Sequence, residues 1–260
     1  MPAATIDVRV EGSGRPALLF VHGFGCDLTD WATQIENLSR DYCCIAMDLP
    51  GHGLSASPTR ATIEALAEAV NGEKTRAPAA VVLVGHSMGC RVVAEAVNRA
   101  PERVIGVVLI DGSLTAAGGT ATPTARTEAY LEKLFADICS SANSIELRTK
   151  LRARLARINR QFALELSLNA ARWAAANGAT ALTQIKVPIQ IIQATTVDAA
   201  RTRVPLAPGK AAAWAASVST LLPQAELRVI STASHFVMIE AAEDTTLMIR
   251  EFVGRLTLGS

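Results

Sequence analysis

The chain has 260 residues, half of them hydrophobic, and a formal net charge of +1 at pH 7. This composition supports one large α/β domain with a sizeable core, and the small net charge gives no indication of nucleic acid or an anionic membrane surface as a partner. Only 4% of the residues are aromatic, so stacking surfaces for nucleic-acid bases are not expected.

The cysteines and the chain ends indicate the cellular setting. The five cysteines are odd in number and show no Cys-x-x-Cys spacing, so we expect free thiols rather than a disulfide framework or a zinc site. Residues 1–7 show no basic segment followed by an apolar run, and no segment reaches the about 18 apolar residues of a membrane span. These features predict a soluble cytoplasmic protein that binds no metal.

Strand and helix patterns alternate through the first 112 residues. Apolar or alternating strand patterns occupy residues 6–11, 17–21, 43–47, 81–84 and 104–110. Helical patterns occupy residues 29–38, 62–70 and 88–100. Because continuous apolar strands separated by helices are typical of parallel sheets covered on both faces, the sequence predicts an α/β fold with a mostly parallel, doubly wound sheet.

The alternation stops after Asp111. Residues 113–184 contain no convincing strand, and apolar residues recur there at three- and four-residue spacing, which is typical of helices with one apolar face. We therefore predict a helical cap at 113–184, inserted into a core formed by 1–112 and 185–260. The second core segment is expected to contain strands at 187–192 and 226–230 and helices near 210–222 and 244–255.

A Gly-x-Ser-x-Gly segment, residues 85–89, joins an apolar strand pattern to a helical pattern. Gly85 and Gly89 lie two residues on either side of Ser87, where they permit the strand and the helix to approach closely. The N-terminus of the following helix directs free N–H groups towards whatever Ser87 attacks. The segment therefore predicts Ser87 as an exposed nucleophile at the apex of a sharp turn.

Three further segments, spread over nearly the whole chain, accompany this turn. Together with residues 85–89, residues 22–25 (His-Gly-Phe-Gly), 48–55 (Asp-Leu-Pro-Gly-His-Gly-Leu-Ser) and 234–236 (Ser-His-Phe) resemble the landmarks of the α/β-hydrolase superfamily. Residues 22–27 with Trp31 are similar to the strigolactone- and karrikin-receptor type hydrolases. The chain departs from the superfamily at Ser234, where a glycine is usual.

The resemblance implies a role for several residues. His235 is expected to be the general base that takes the proton of Ser87. The backbone N–H groups of Met88 and Phe24 are expected to form the oxyanion hole, with Phe24 also a candidate wall of the substrate pocket. The remaining histidines, His22, His52 and His86, and the carboxylate Asp48 lie in loop motifs where the family's residue is usually structural.

Two aspartates are candidates for the third member of the triad. In most α/β-hydrolases the acid follows the strand predicted here at 187–192, but Asp198 is displaced by about one residue from that position, which would turn its carboxylate away from His235. Asp111 ends the strand at 104–110 and resembles the acid of zearalenone lactonases, which are similar in length. We favour Asp111 and keep Asp198 as the alternative.

Two other groups of residues carry a weaker signal. Trp173 and Trp214 are candidates for the substrate pocket, and both are equally compatible with the core. Basic residues crowd the predicted cap at 148–160, and because they spread around most of a helix, a solvated face is favoured over an anion site.

The predicted function is a cofactor-free serine hydrolase that cleaves an ester or lactone of a hydrophobic small molecule. The alternatives are a ligand-sensing receptor of the same fold with slow turnover, or a C–C bond hydrolase or lyase that uses the same triad. The only partner expected is the small-molecule substrate, with no nucleic acid and no membrane, and the protein is expected to be a monomer or a homodimer.

Overall fold

The computed structural model describes residues 5–114, 126–178, 180–198, 202–212, 214–215, 218 and 222–258. Its centre is a seven-stranded sheet with the strand order β1-β3-β2-β4-β5-β6-β9. These strands are β1 (Val8–Glu11), β2 (Ala17–Val21), β3 (Cys43–Met47), β4 (Val81–His86), β5 (Val104–Ile110), β6 (Ile189–Gln193) and β9 (Glu226–Val229). Only β1 runs antiparallel to its neighbour, so the predicted mostly parallel α/β sheet is confirmed.

Helices cover the sheet and connect its strands. They are α1 (Ala32–Leu38), α2 (Ile63–Arg76), α3 (Met88–Arg99), α4 (Glu128–Ser140), α5 (Ile145–Leu155), α6 (Arg160–Asn177), α7 (Ala181–Gln184), α8 (Val237–Glu240) and α9 (Ala242–Leu258). Each of α2, α4, α5 and α6 begins after a Thr, Ser or Asn whose side chain accepts a hydrogen bond from a backbone N–H of the first turn. Such caps satisfy donors that the helix itself leaves free, which fixes where these helices start.

The core lies on both faces of the sheet. All five residues of β2 are fully buried, and they alternate between the two core clusters: Leu19 belongs to one and Phe20 to the other. Helices α2 and α3 contribute residues such as Val70 and Val93 to the first cluster, whereas α1 and α9 contribute residues such as Ile35 to the second. This two-sided burial explains why β2 reads as a continuous apolar run.

Helices α4 to α7 all fall within the segment predicted as a cap, residues 113–184. Within the described part of that segment the structure contains no strand. Residues 115–125 and 179 lie outside the described residues, so the boundaries of the cap and core stay a prediction. Because α4 to α7 connect β5 to β6, they lie in the chain between two neighbouring parallel strands.

Several elements differ from the sequence prediction. Helix α2 runs to Arg76 instead of ending near residue 70, and α8 was not predicted. The helix expected at 29–38 is divided into a 3₁₀ turn at Leu28–Trp31 and α1. A short antiparallel hairpin, β7 (Thr195–Val197) with β8 (Arg203–Pro205), follows β6 and was not predicted. Six of the thirteen residues of the helix expected near 210–222 lie outside the described residues, so this helix stays a prediction.

The remaining expectations concern the cysteines, metal ligands and membrane-spanning helices. All five cysteines are buried and free. No group of three or more metal-ligating side chains is close enough to hold an ion among the described residues. In the same residues, no helix combines the length and the apolar character that a membrane crossing requires.

Candidate active site

Ser87 lies at the turn between β4 and α3, at the edge of the sheet where the parallel strands end. Its backbone has φ 55° and ψ −117°, a conformation that serine rarely adopts and that lifts the side chain off the sheet. A Cβ atom on Gly85 would lie 2.6 Å from the Gly89 carbonyl oxygen, and one on Gly89 would lie 2.4 Å from that of Val21. The two glycines therefore allow the strand and the helix to pack closely enough to hold this turn.

His235 lies in the loop between β9 and α8. Its Nε2 is 2.9 Å from the Ser87 Oγ, within hydrogen-bond reach of a hydroxyl that could donate to it. The loop is held from two sides, because the His86 Nε2–H donates to the His235 carbonyl at 3.0 Å and the His235 N–H donates to the Ser141 carbonyl at 3.3 Å. The imidazole is thus fixed against the serine.

Asp111 follows β5 and reaches His235 from behind. The His235 Nδ1–H donates to the Asp111 Oδ2 at 2.6 Å, which leaves the Nε2 free to accept from Ser87. The other oxygen, Oδ1, accepts from the backbone N–H groups of Ala194 and Thr195, each at 2.8 Å. The structure therefore brings Ser87, His235 and Asp111 into one hydrogen-bonded chain.

Asp198, the alternative acid, is not part of this chain. It lies at the end of β7, exposed to solvent, and its Oδ1 accepts from the Thr202 N–H at 2.8 Å. Because side chains alternate along an extended segment, the position of Asp198 turns its carboxylate into the turn of the hairpin instead of towards His235. The structure thus brings Asp111, and not Asp198, beside the histidine.

Thr195 and Arg203, both on the β7–β8 hairpin, were not predicted as site residues. The Thr195 hydroxyl donates to the Asp111 Oδ2 at 2.5 Å, and the Arg203 Nη1 lies 2.7 Å from the Thr195 Oγ1 and 3.5 Å from the Asp111 Oδ2. The only sequence signal was the presence of Arg203 close to Asp198. It could not point to Asp111, because that contact depends on the hairpin.

The environment shifts the pKa values of the buried pair. Burial alone would raise the pKa of Asp111, but the hydrogen bond and charge of His235, the charge of Arg203 and the Thr195 hydroxyl outweigh it and lower that pKa to about 2. Burial, together with the charge of Arg203, lowers the pKa of His235 below 6.5 against the opposing effect of Asp111. Asp111 is therefore ionised and His235 neutral near pH 7, as a base requires.

Met88 and Phe24, whose N–H groups are expected to form the oxyanion hole, lie directly after Ser87 and in the loop after β2. Met88 is the first residue of α3, so its N–H has no carbonyl partner within the helix. The Phe24 N–H lies in the loop after β2 and donates to no backbone carbonyl in the described chain. A Cβ atom on the neighbouring Gly23 would lie 2.9 Å from the Ser87 Cβ, which shows how closely this loop approaches the serine.

The other motif residues hold loops in place around the site. The His22 Nε2 accepts from the Leu49 N–H at 2.9 Å, and burial lowers the pKa of His22 to about 4, so the ring is neutral. The Asp48 carboxylate accepts from the N–H groups of Leu28 and Leu54, each at 2.7 Å. These contacts tie the loop after β3 to the loop after β2, which carries Phe24.

Helices of the predicted cap pack against the loops beside Ser87. The Leu155 side chain of α5 lies against Gly25, and the Phe162 ring of α6 lies against Gly51, in both cases closer than a Cβ atom on the glycine would permit. The Phe24 ring, half-buried, lies 6.4 Å from the ring of Phe135 on α4. Apolar side chains of the cap helices therefore pack against the loops that carry Phe24 and Gly51.

One cap arginine bridges to the core. Arg154 on α5 contacts Asp27 and Asp30, each at 2.6 Å, and donates to the Thr29 hydroxyl at 2.7 Å. Its side chain is 15% exposed and that of Asp30 is 2% exposed, so this is a half-buried ion pair and not part of a solvated face. Other basic side chains of the segment pair at the surface, as Lys150 does with Glu146.

The two candidate pocket tryptophans contribute to packing. Trp173 is 2% exposed, and its indole N–H donates to Glu95 of α3 at 2.8 Å. Trp214 is half-buried and packs against the apolar cluster of Leu206, Ala212 and Ala215. Both therefore pack with apolar side chains in the structure.

Ser234, where a glycine is usual, has its own partners. Its hydroxyl donates to Glu240 and accepts from the Phe236 N–H at 3.1 Å. Glu240 also accepts from the N–H groups of Asn143 and Ser144, the residues that lead into α5. The serine thus joins the loop of His235 to the turn between α4 and α5.

Comparison with known proteins places this geometry in a family. A sequence model of the Alpha/beta hydrolase family matches residues 18–246. The chain therefore belongs to the Alpha/beta hydrolase family.

One curated relative matches nearly the whole chain. Over 255 residues, 94% of this chain and 65% of the relative, it is 32% identical to the dihydrolipoyllysine-residue acetyltransferase component of the acetoin cleaving system of Pseudomonas putida. The chain spans between 27% and 65% of the length of the first curated relatives.

Solved structures share the fold. An esterase from Thermogutta terrifontis superposes with a TM-score of 0.78 at 23% identity, covering 97% of this chain and 94% of that one. The enol-lactonase from Burkholderia xenovorans superposes with a TM-score of 0.71 at 24% identity, covering 97% of this chain and 98% of that one.

Proposed function

We propose that this enzyme hydrolyses carboxylic esters or lactones of hydrophobic small molecules through an acyl-enzyme on Ser87. The observation that carries the proposal is the hydrogen-bonded chain from the Ser87 Oγ to the His235 Nε2 at 2.9 Å and from the His235 Nδ1 to Asp111 at 2.6 Å. A serine hydroxyl becomes nucleophilic when a neutral base accepts its proton and a carboxylate holds that base in the correct tautomer.

The proposed reaction has two halves that require no cofactor. Ser87 attacks the carbonyl carbon while its proton passes to the His235 Nε2, and the N–H groups of Met88 and Phe24 stabilise the oxyanion. The intermediate collapses, the C–O bond breaks, and His235 protonates the departing alcohol. Water then repeats the attack on the acyl group, with His235 as base, and restores Ser87 with release of the acid.

The apolar cap contacts support a hydrophobic substrate. The Phe24 ring lies 6.4 Å from that of Phe135, and Leu155 packs against Gly25 of the same loop, so an acyl or aryl group near the reacting carbonyl would bury apolar surface against them. We expect kcat/KM to rise along the series p-nitrophenyl acetate, butyrate and hexanoate. A cyclic ester such as a δ-lactone tests whether the alcohol can remain tethered to the acyl group.

Replacement of Ser87 tests the function. Ser87→Ala removes the nucleophile and should lower kcat on p-nitrophenyl butyrate by about 10⁴-fold or more. Ser140→Ala is the matched control, because its exposed hydroxyl bonds only to the Asp137 carbonyl of its own helix. Turnover by Ser87→Ala at the rate of the control would refute the proposal.

Acyl transfer to a thiol is a second candidate, favoured by the Pseudomonas putida relative, which aligns with 94% of this chain. The first half of the reaction is unchanged, and a thiol then replaces water as the acceptor from Ser87. Adding dihydrolipoamide to the p-nitrophenyl acetate assay discriminates between the two. A hydrolase yields acetate at an unchanged rate, whereas a transferase yields S-acetyl dihydrolipoamide in preference to acetate.

A further inference from the structure

The β7–β8 hairpin lies where most relatives of this fold are expected to carry the triad acid. In this chain the acid is Asp111, and the hairpin contacts it instead of supplying it. Thr195 pairs with Pro205 and Val197 pairs with Arg203 across the hairpin. Thr195 and Arg203 are therefore diagonal neighbours on one face, a separation that a long side chain can span. Their side chains meet at 2.7 Å, directly beside Asp111.

We propose that Arg203 is a positioning residue for the triad, fixing the Asp111 carboxylate through the Thr195 hydroxyl and by direct ion pairing. The proposal rests on the proposed function, because it assigns Arg203 a role in the same site. Arg203 contacts neither Ser87 nor the ring of His235 by any hydrogen bond of the described residues. It acts on the reaction only through Asp111 and through its charge.

The hydrogen bonds give Arg203 a definite geometric effect. A threonine hydroxyl has one hydrogen and can rotate freely unless its partners fix it. The Arg203 Nη1–H donates to the Thr195 Oγ1, so the hydroxyl hydrogen is left to point at the Asp111 Oδ2, 2.5 Å away. The two backbone N–H groups bond to the Oδ1. Together these donors hold the Asp111 carboxylate with its Oδ2 towards His235.

The charge of Arg203 also acts on the pKa of His235, in the opposite direction to the charge of Asp111. Among the described residues, three titratable or charged groups face His235: Asp111 from the end of β5, Arg203 from β8 and the His86 ring, whose centroid is 4.6 Å away. His86 is neutral, because burial lowers its pKa far below 6.5. Arg203 therefore opposes the imidazolium that Asp111 favours, and it keeps His235 available as a base at lower pH.

The pH dependence of kcat/KM tests this role. Arg203→Gln and Arg203→Met remove the charge, so the pKa that defines the acid limb should rise by about one unit, the size expected for one charge within about 6 Å. Arg203→Lys keeps the charge and should restore most of the original limb. The Arg203 side chain is one-third exposed, so neither substitution is made in the core. Two neutral variants are used so that the second still gives a reading if one of them is unstable.

Arg228→Gln is the matched control. Its side chain, on strand β9, is 38% exposed and forms ion pairs with Glu226 and Glu251. This variant should leave the acid limb where it is in the parent enzyme. An unmoved limb in both neutral Arg203 variants, or an equal movement in Arg203→Lys, would overturn the proposal.

A measurement without substrate separates this proposal from the proposed function. The imidazole signals of labelled protein can be titrated by NMR, with His235 identified by its loss in His235→Gln. Burial lowers the pKa values of the other three histidines, to about 4 for His22, to about 3 for His52 and far below 6.5 for His86, so the signal is assigned by the variant and not by its pKa. A raised His235 pKa in Arg203→Gln supports the role of Arg203 even if Ser87→Ala shows that the reaction is a different one, and an unchanged pKa overturns that role.

Discussion

Replacing Asp111 by Asn changes the one group that receives donors from every side of the site. The Oδ1 accepts from two backbone N–H groups at 2.8 Å, and the Oδ2 accepts from the Thr195 hydroxyl at 2.5 Å and from His235 at 2.6 Å. An amide presents an NH₂ group to one of these two sets of donors in either orientation. Towards His235, it favours the tautomer with a proton on Nε2, which cannot accept from Ser87.

The expected loss has a kinetic and a thermodynamic part. By analogy with removal of other triad acids, kcat should fall by about 10³- to 10⁴-fold. The pKa of Asp111 is about 2, against an ordinary value of 3.8, so the native state favours the carboxylate by about 2 kcal/mol. Because this pKa is lowered on folding, that stability is present above about pH 4 and is lost as the pH falls towards 2.

Asp198→Asn provides the comparison, since Asp198 is exposed and its carboxylate bonds to Thr202. Both variants are assayed for kcat on p-nitrophenyl butyrate at pH 8, and their free energies of unfolding are measured in urea. We expect a large loss in Asp111→Asn alone and a change of less than about twofold in Asp198→Asn. Equal, mild losses in the two variants would refute the assignment of the acid.

Two further substitutions test the packing that holds the site. Arg154→Met should lower the free energy of unfolding by about 2–4 kcal/mol in a urea titration, because it leaves Asp30 buried without its partner. The double variant with Asp30→Asn should recover part of this loss, and full additivity would contradict a direct pairing. Gly89→Ala should lower both the melting temperature and kcat, because its Cβ would meet the Val21 carbonyl at 2.4 Å, whereas Gly72→Ala, where nothing lies within 4 Å, should lower neither.

The sequence identified the parts of the site that depend on local structure. Residues 85–89 combine a buried strand, two glycines and a helix start, and these features place Ser87 at a turn without any knowledge of distant residues. The strands could be recognised in the same way, because both faces of the sheet are buried and continuous apolar runs follow from that. The fold class could therefore be predicted from the hydrophobic pattern alone.

The choice between Asp111 and Asp198 depended on contacts between strands, which local patterns do not contain. Asp198 was doubtful from its position along the strand, but the structure adds why Asp111 is held: the N–H groups of Ala194 and Thr195 meet it at the end of β6. Arg203 reaches the site only because β8 pairs with β7. A pairing of two three-residue strands leaves too weak a periodic signal to be predicted.

For the other residues, too, the role depends on buried polar contacts that could not be predicted from the sequence. From the sequence, Trp173 was equally compatible with a pocket and with the core. Its hydrogen bond to Glu95 depends on the packing of α6 on α3, which local patterns do not contain. Ser234 departs from the usual glycine for a reason that lies six residues further along, at Glu240. In both cases the partner of a polar atom, and not the residue type, defines the role.

Covalent labelling of Ser87 tests the central claim most directly. The protein is incubated with a fluorophosphonate, its intact mass is measured, and the labelled peptide is mapped by mass spectrometry. We predict one adduct per chain, located on Ser87, and its loss in Ser87→Ala and in His235→Gln, which lacks the base. Turnover of p-nitrophenyl butyrate that continues while Ser87 is fully labelled, or an adduct on a different residue, would contradict the account.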